Sequence, residues 1–282
     1  MNESLPTRLG WLTLCAVLLV GCSGYHSQAD APGYQIEIIA TEIRLVDGLA
    51  WHPSGALLAT EEYRGGGVVR IDPESGGYTY VIRDLADPDN ILVRDGEIYL
   101  TEEDAQGRIV RIDRLGQKHV FADGLDGPEG LDLGPDDKLY VAEHVPSGHV
   151  FRFSLDGARE TVGSVVDGEG LRVLPDGTVV VAETSLNRVV AFDTDGEKRV
   201  FAEHIKAADG IAYDPTRARV LVTEDAAPGR MMAVDVQSGN VEVVASGLHS
   251  PQTMLVEADG AIVLAEQGED RILRLRPSLE EP

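Results

Sequence analysis

The stretch EGLRVLPDGTVVVAETSLNRVVAFDTDGEKRVFAE, residues 169–203, decides the fold. Its runs EGLRVL, TVVVAE, RVVAFD and KRVFAE are short and rich in β-branched residues, and PDG and TDGE between them supply Pro, Asp and Gly turn chemistry. This predicts four antiparallel strands, and the unit recurs. Six times an apolar doublet runs into a glutamate, at Glu61, Glu102, Glu143, Glu183, Glu224 and Glu266, with spacings of 41, 41, 40, 41 and 42 residues. A period near forty built from such runs means repeated small sheets. The first turn of each unit reappears as HPSG at 52, RDG at 94, GPDD at 134, PDG at 175, DPTRA at 214 and ADG at 258.

Fourth strands are expected near Tyr78 to Asp84, His119 to Asp123, Arg159 to Val165, Arg199 to Glu203 and Val241 to Ser246, but the sixth unit runs out at Pro277. The missing strand is expected at the other end of the chain, where YQIEIIAT, residues 34–41, has the right pattern. Pairing it with the last unit would protect an exposed edge and staple the ends together. The fold class is therefore all-β, a six-bladed β-propeller spanning residues 34–277, with 278–282 as a tail.

The chain of 282 residues shows no composition break that would mark a linker between domains. Residues 1–21 read as a signal peptide: Arg8, an apolar run from about Leu9 to Val20 that is too short to span a bilayer as a helix, then Gly21 and Cys22. Leu19, Val20, Gly21 and Cys22 resemble the lipobox of bacterial lipoproteins, which implies lipidation of Cys22. An ordinary secretory peptide with an incidental cysteine is the alternative. Ser23 after the cysteine points to the outer membrane, facing the periplasm, and the small polar residues 22–33 read as a tether. Cys15 falls inside the signal, so the propeller itself has no disulfide, thiol nucleophile or thiolate metal site.

The formal charge of −24 survives removal of the signal, because Glu3 and Arg8 leave together. Such a charge disfavours nucleic acid, and also anionic lipid, as partners, so contact with the membrane is expected only through the N-terminal lipid. Trp51 is the only tryptophan left, which argues against a stacking groove for long glycans.

In each unit the first turn lies midway between the start of the innermost strand and the recurring glutamate, which places the two side by side on one face. The inner-strand starts carry Asp47, Asp89, Glu129, Glu169, Asp209 and Gln252, five carboxylates in six positions. Gly48, Gly130, Gly170 and Gly210 follow four of them and permit close backbone approach or unusual dihedrals there. Asp-Gly and Glu-Gly are also common turn dipeptides, so solvated turn acids are one reading of the ring. Inner strands converge on a narrow axis, however, and five like charges there would raise one another's pKa unless cations intervene. Oxygen ligands without Cys or clustered His suit Ca²⁺ or Mg²⁺ rather than zinc, and a flexible carboxylate cage suits Ca²⁺ better.

The recurring glutamates have a structural reading. Five of them are followed five or six positions on by Arg108, His149, Arg188, Arg230 or Arg271, a repeated pair expected to tie the second strand to the third. Among the histidines, His52 and His119 are expected at the surface and His26 in the tether. His144, His204 and His249 fall on loops of the acid-ringed face as proton-transfer candidates. No nucleophile-elbow sequence and no Gly-rich phosphate loop is present.

The stretches VDGLAWHPSGALLATE (46–61), PEGLDLGPDDKLYVAE (128–143) and ADGIAYDP (208–215) resemble the gluconolactonase and senescence-marker-protein family of six-bladed propellers. PDNILV (88–93) shows kinship to paraoxonases, and VAETSLNRVVAFDTDG (181–196) is similar to an NHL repeat. The resemblance covers roughly residues 40–276. It implies one axial divalent ion, commonly calcium, held by Glu, Asn, Asn and Asp at the inner-strand starts of the first, third, fourth and fifth blades. Those places fall here to Asp47, Glu129, Glu169 and Asp209. Glu replaces Asn at the middle two, and Asp89 adds a further acid, so a second ion, a retained proton or a cationic group would be needed to balance the ring.

The resemblance implies a lipid-anchored, divalent-metal-dependent hydrolase of lactones or related esters, in which Asp209 or a neighbouring Glu takes a proton and a protonated ring carboxyl, such as Glu169, acts as the acid. Two other readings stay open. One is a non-catalytic platform that binds an envelope protein; the other is a metal-dependent lyase of the streptogramin-lyase type.

Overall fold

Six four-stranded antiparallel sheets stand around one axis in the computed structural model, which describes residues 29–278 apart from Ala105. The signal segment 1–21, Cys22, residues 23–28 of the tether and the last four residues lie outside the described part. The innermost strands of blades 1 to 6 are Val46–Trp51, Pro88–Arg94, Pro128–Leu133, Gly168–Val173, Ala208–Asp214 and Pro251–Val256. Each second strand ends on a recurring glutamate: Leu57–Glu61, Glu97–Glu102, Leu139–Glu143, Val179–Glu183, Arg219–Glu224 and Ile262–Glu266.

Burial explains why the second strands read as continuous apolar runs rather than alternating ones. Val179–Glu183 is buried at every position, because one face packs on the preceding blade and the other on the next. The core is accordingly divided into six apolar clusters, one in each gap between neighbouring blades. Each fully buried Val or Leu in them contributes about 1.5–3 kcal/mol. Outer strands face solvent on one side and return to mixed patterns, as in Arg159–Val165.

The ring closes as expected. The strand Tyr34–Thr41 pairs antiparallel with Arg271–Pro277, from Tyr34 opposite Pro277 to Thr41 opposite Arg271, and becomes the outer strand of blade 6. The described end of the tether is packed rather than free. The Asp30 N–H donates to Ser246 O at 2.9 Å, the Ser246 N–H donates back at 2.8 Å, and Ala31 is buried against blades 5 and 6.

Candidate functional site

The site begins with a backbone irregularity that all six blades share. Pairing of the inner and second strands slips between Val46 and Leu49, Pro88 and Ile91, Pro128 and Leu131, Gly168 and Leu171, Ala208 and Ile211, and Pro251 and Met254. Each bulge contains the second residue of its strand, which is the inner-ring position. Bulges re-aim side chains, and here they turn Asp47, Asp89, Glu129, Glu169, Asp209 and Gln252 toward one cavity on the axis. Two residues before each of them, Leu45, Asp87, Gly127, Asp167, Ala207 and Ser250 have φ between 41° and 57°. Five of these six are not glycine, so the mouth of the propeller holds its shape against a backbone preference.

The glycines after the acids are there for close approach. A Cβ on Gly48, Gly130, Gly170 or Gly210 would lie 2.5, 2.3, 2.1 or 2.4 Å from the carbonyl oxygen of Asp89, Glu169, Asp209 or Gln252 in the next blade. Buried Thr60, Thr101 and Thr223, each just before a recurring glutamate, cement the same contact. Their hydroxyls donate to Asp89 O at 2.6 Å, Glu129 O at 3.0 Å and Gln252 O at 3.2 Å.

The axial cavity is about 250 Å³. Its lining includes the five inner acids, Gln252, and a second tier absent from the sequence expectations apart from His144: Glu62, Glu103, Asp225 and Gln267. Every member of this tier directly follows a recurring glutamate. The N–H groups of Glu62, Glu103, His144, Asp225 and Gln267 each donate to the carbonyl of the positive-φ residue of their own blade, over 2.7–3.0 Å, which folds them over the mouth. Eight carboxylates and one imidazole therefore share the cavity, and no lysine or arginine lines it.

Burial here rules out solvated turn acids. Asp47 is 7% and Asp89 8% exposed. Burial first, and repulsion from neighbouring acids second, push Asp47, Asp89, Glu129 and Asp209 well above the usual carboxylate range. Glu169 is pushed up to about 9 by burial and then by the Glu129 charge. Glu169 and Asp209 also share a hydrogen bond, so this pair retains a proton at neutral pH. In the orientation that satisfies its neighbours, the Gln252 amide donates to both oxygens of Asp209.

Of the three candidate histidines, only His144 lies in the cavity. Its Nδ1 is 2.5 Å from Glu129 Oε1 and its Nε2 3.3 Å from Glu169 Oε1. His204 is exposed, and His249 turns to Glu269 at 2.9 Å. Among the described residues two groups bring three ligand atoms within 4.8 Å of one another: Asp47, Glu62 and Asp89, and Glu103, Glu129 and His144. Both groups are compatible with a divalent metal.

The recurring glutamates point away from the cavity and tie their blades together. Glu102 meets Arg108, Glu183 meets Arg188 at 2.6 Å, Glu224 meets Arg230 and Glu266 meets Arg271 at 2.5 Å, and His149 lies 3.5 Å from Glu143. Their other oxygen accepts a main-chain N–H from the loop leading into the same blade, from Ala86, Asp126, Val166, Lys206 or His249, at 2.9–3.0 Å. Blade 1 differs: Glu61 accepts from the Tyr80 hydroxyl at 3.0 Å instead.

Beyond the acids the axis mixes apolar side chains with an Arg172–Asp132 ion pair at 3.2 Å. Leu49, Ile91, Leu131, Leu171, Ile211 and Met254, two residues further along each inner strand, line a separate cavity of about 280 Å³ at the other end.

Neither a family model nor a curated protein matches the sequence. Solved structures match the fold. A gluconolactonase from Xanthomonas campestris superposes with a TM-score of 0.76 at 17% identity, over 87% of this chain and 90% of that one. Virginiamycin B lyase from Staphylococcus aureus gives 0.64 at 16% identity, over 88% and 90%. A PQQ-bound aldose sugar dehydrogenase from Streptomyces coelicolor gives 0.68 at 17%, over 88% and 99%. The chain thus has the six-bladed propeller fold found in the gluconolactonases.

Proposed function

We propose that the protein is a divalent-cation-dependent hydrolase of lactones or related esters. The observation that carries this reading is the convergence of eight carboxylates on a cavity with no lysine or arginine. Like charges in such a place favour a bound cation, and the oxygen donors favour calcium. Asp47, Glu129, Glu169 and Asp209 would hold it, with Asp89 beside them. When bound, the ion would polarise the carbonyl and acidify water.

The chain's own groups supply the proton traffic. Asp209, oriented by Gln252, would take the proton from water, and its neighbour Glu169 would relay it to the departing alkoxide. A lactone or ester panel assayed with and without EDTA tests this. Hydrolysis is expected to stop in EDTA, to return with Ca²⁺ and to be lost in Asp209→Asn; an active, EDTA-insensitive protein would refute it.

One observation favours elimination at the same site: an imidazole, His144, stands between Glu129 and Glu169. A histidine-to-alanine form of the structurally similar virginiamycin B lyase is described as catalytically inactive. Product mass separates the two, since hydrolysis adds one water and elimination adds none. We further infer a lipid on Cys22 that holds the domain at the outer membrane, facing the periplasm. Metabolic labelling with palmitate, lost in Cys22→Ser, tests it.

A further inference from the structure

The described end of the tether joins blade 5 as a short outer rung. Asp30 and Ser246 exchange both main-chain hydrogen bonds, so the two chains run antiparallel there. Ser246 lies near the end of the outer strand Val241–Leu248, which climbs toward the acid-lined mouth: Ser250, two residues past Leu248, is the positive-φ residue of blade 6 at that mouth. An antiparallel partner followed toward its own N-terminus travels toward its neighbour's C-terminus. At Ala29 the chain is therefore heading for the acid-lined face, and Ala29 is packed on the blade 5–6 cluster that contains Leu248.

Distance decides whether that heading matters. Cys22 stands seven positions before Ala29, a span of at most about 25 Å when fully extended. The opposite face, where the first turn of each blade lies, is a strand away, and a six-residue inner strand such as Pro251–Val256 is roughly 20 Å long. A lipid on Cys22 could pass that face only if the chain reversed at Ala29 and used nearly its whole length on the way back. On the acid-lined side the same length is slack. The face would not adhere to lipid by itself, because eight carboxylates without a lysine or arginine in the cavity repel anionic headgroups, which keeps the mouth clear.

We propose that the protein hangs from the membrane with its acid-lined mouth turned toward the bilayer, so that the cavity receives amphiphilic molecules from the lipid surface. This rests on the lipid on Cys22 inferred above. For the hydrolase, the substrate class that follows is a lactone or ester with an apolar chain, concentrated at the membrane, in place of a freely soluble one.

Energy transfer on vesicles tests the orientation without any assay of activity. Cys15 would leave with the signal and Cys22 would carry the lipid, so a single introduced cysteine takes the label. The lipidated full chain is labelled with a donor dye at Lys206→Cys, exposed on a loop of the acid-lined face, or at Asp176→Cys, exposed in a turn of the opposite face. Both are bound to phosphatidylcholine vesicles that carry a rhodamine acceptor on the lipid headgroup. Severalfold higher transfer from position 206 is expected; equal transfer, or more from position 176, would overturn the orientation. A chain that floats with the vesicles no better than Cys22→Ser would overturn the lipid, and the orientation with it. Vesicle-bound wild type should also cleave a long-chain acyl ester held in the same vesicles severalfold faster than Cys22→Ser does, with an acetyl ester cleaved equally by both. Equal rates on the long-chain ester would overturn the substrate class, and no cleavage of either ester would overturn the hydrolase while leaving the orientation standing.

Discussion

Replacing Glu183 by glutamine separates a structural glutamate ring from a functional one. The Glu183 side chain is 0% exposed and accepts from Arg188 at 2.6 Å, Lys198 at 2.6 Å and the Val166 N–H at 3.0 Å. Glutamine keeps the shape and one acceptor for Val166, but takes the charge from two charge-assisted bonds worth about 1.5–3 kcal/mol each. Arg188 and Lys198 are 30% and 32% exposed and remain partly hydrated, so the lower end applies to both. The expected loss is about 3 kcal/mol, which lowers the melting temperature by about 6–12 °C in a domain of this size. Burial raises the Glu183 pKa, but the Lys198 and Arg188 hydrogen bonds outweigh it and hold the group below its usual value. A depressed folded pKa gives stability that is present above the unfolded value, about 4.3, and is lost as pH falls through the folded one. The gap between wild type and variant should therefore be full at pH 7 and close below about pH 4. Urea unfolding at both pH values measures it. A penalty under about 1 kcal/mol, or one equal at pH 7 and pH 3, would refute the structural role. Lost calcium binding with the fold intact would place the ring in the site instead.

The inner acids carry the opposite sign. Their folded pKa values are raised, so in EDTA the stability they give is present below the unfolded values around pH 4 and is lost as pH rises through the folded ones, about 9 for Glu169, at about 1.4 kcal/mol per pH unit for each retained proton. Scanning calorimetry from pH 5 to pH 9 should show a falling melting temperature that excess Ca²⁺ flattens; a rise in EDTA would contradict it. Gly170→Ala would set a Cβ 2.1 Å from Asp209 O and should cost about 2–3 kcal/mol along with calcium affinity, whereas Gly157→Ala, where φ of 91° strains the backbone but the Cβ meets nothing, should cost some stability and spare calcium binding. Deleting residues 29–41 should leave blade 6 without its outer strand and make the protein aggregate, as seen by light scattering; a monodisperse, folded product would show that closure is dispensable.

The repeat period carried the sequence reading a long way for a physical reason. A blade must present a turn, a bulge and a buried second strand at fixed intervals, so Glu61 through Glu266 act as register marks, and counting back from them lands on Asp47, Asp89, Glu129, Glu169 and Asp209. The second tier was one residue beyond each mark, where Glu62, Glu103, Asp225 and Gln267 stand. Strand alternation gives no direction once a strand has ended, so only the structure shows these side chains over the mouth. The left-handed residues were hidden more deeply. Leu45 and Ala207 are not residues that announce positive φ, and the conformation is imposed by the packing of neighbouring blades.

Closure by the first strand has a consequence for how the protein is made. Glu37 and Arg276 meet although they are 239 positions apart, so the strand that leaves the ribosome first must wait for the last to appear. Until then every completed blade has a neighbour on one side only, and the seventy-odd percent of surface that a finished domain of this size hides is not yet hidden. If the chain crosses a membrane from its N-terminus, that wait keeps it open and threadable during transit. The lock then engages only after the final residues are through.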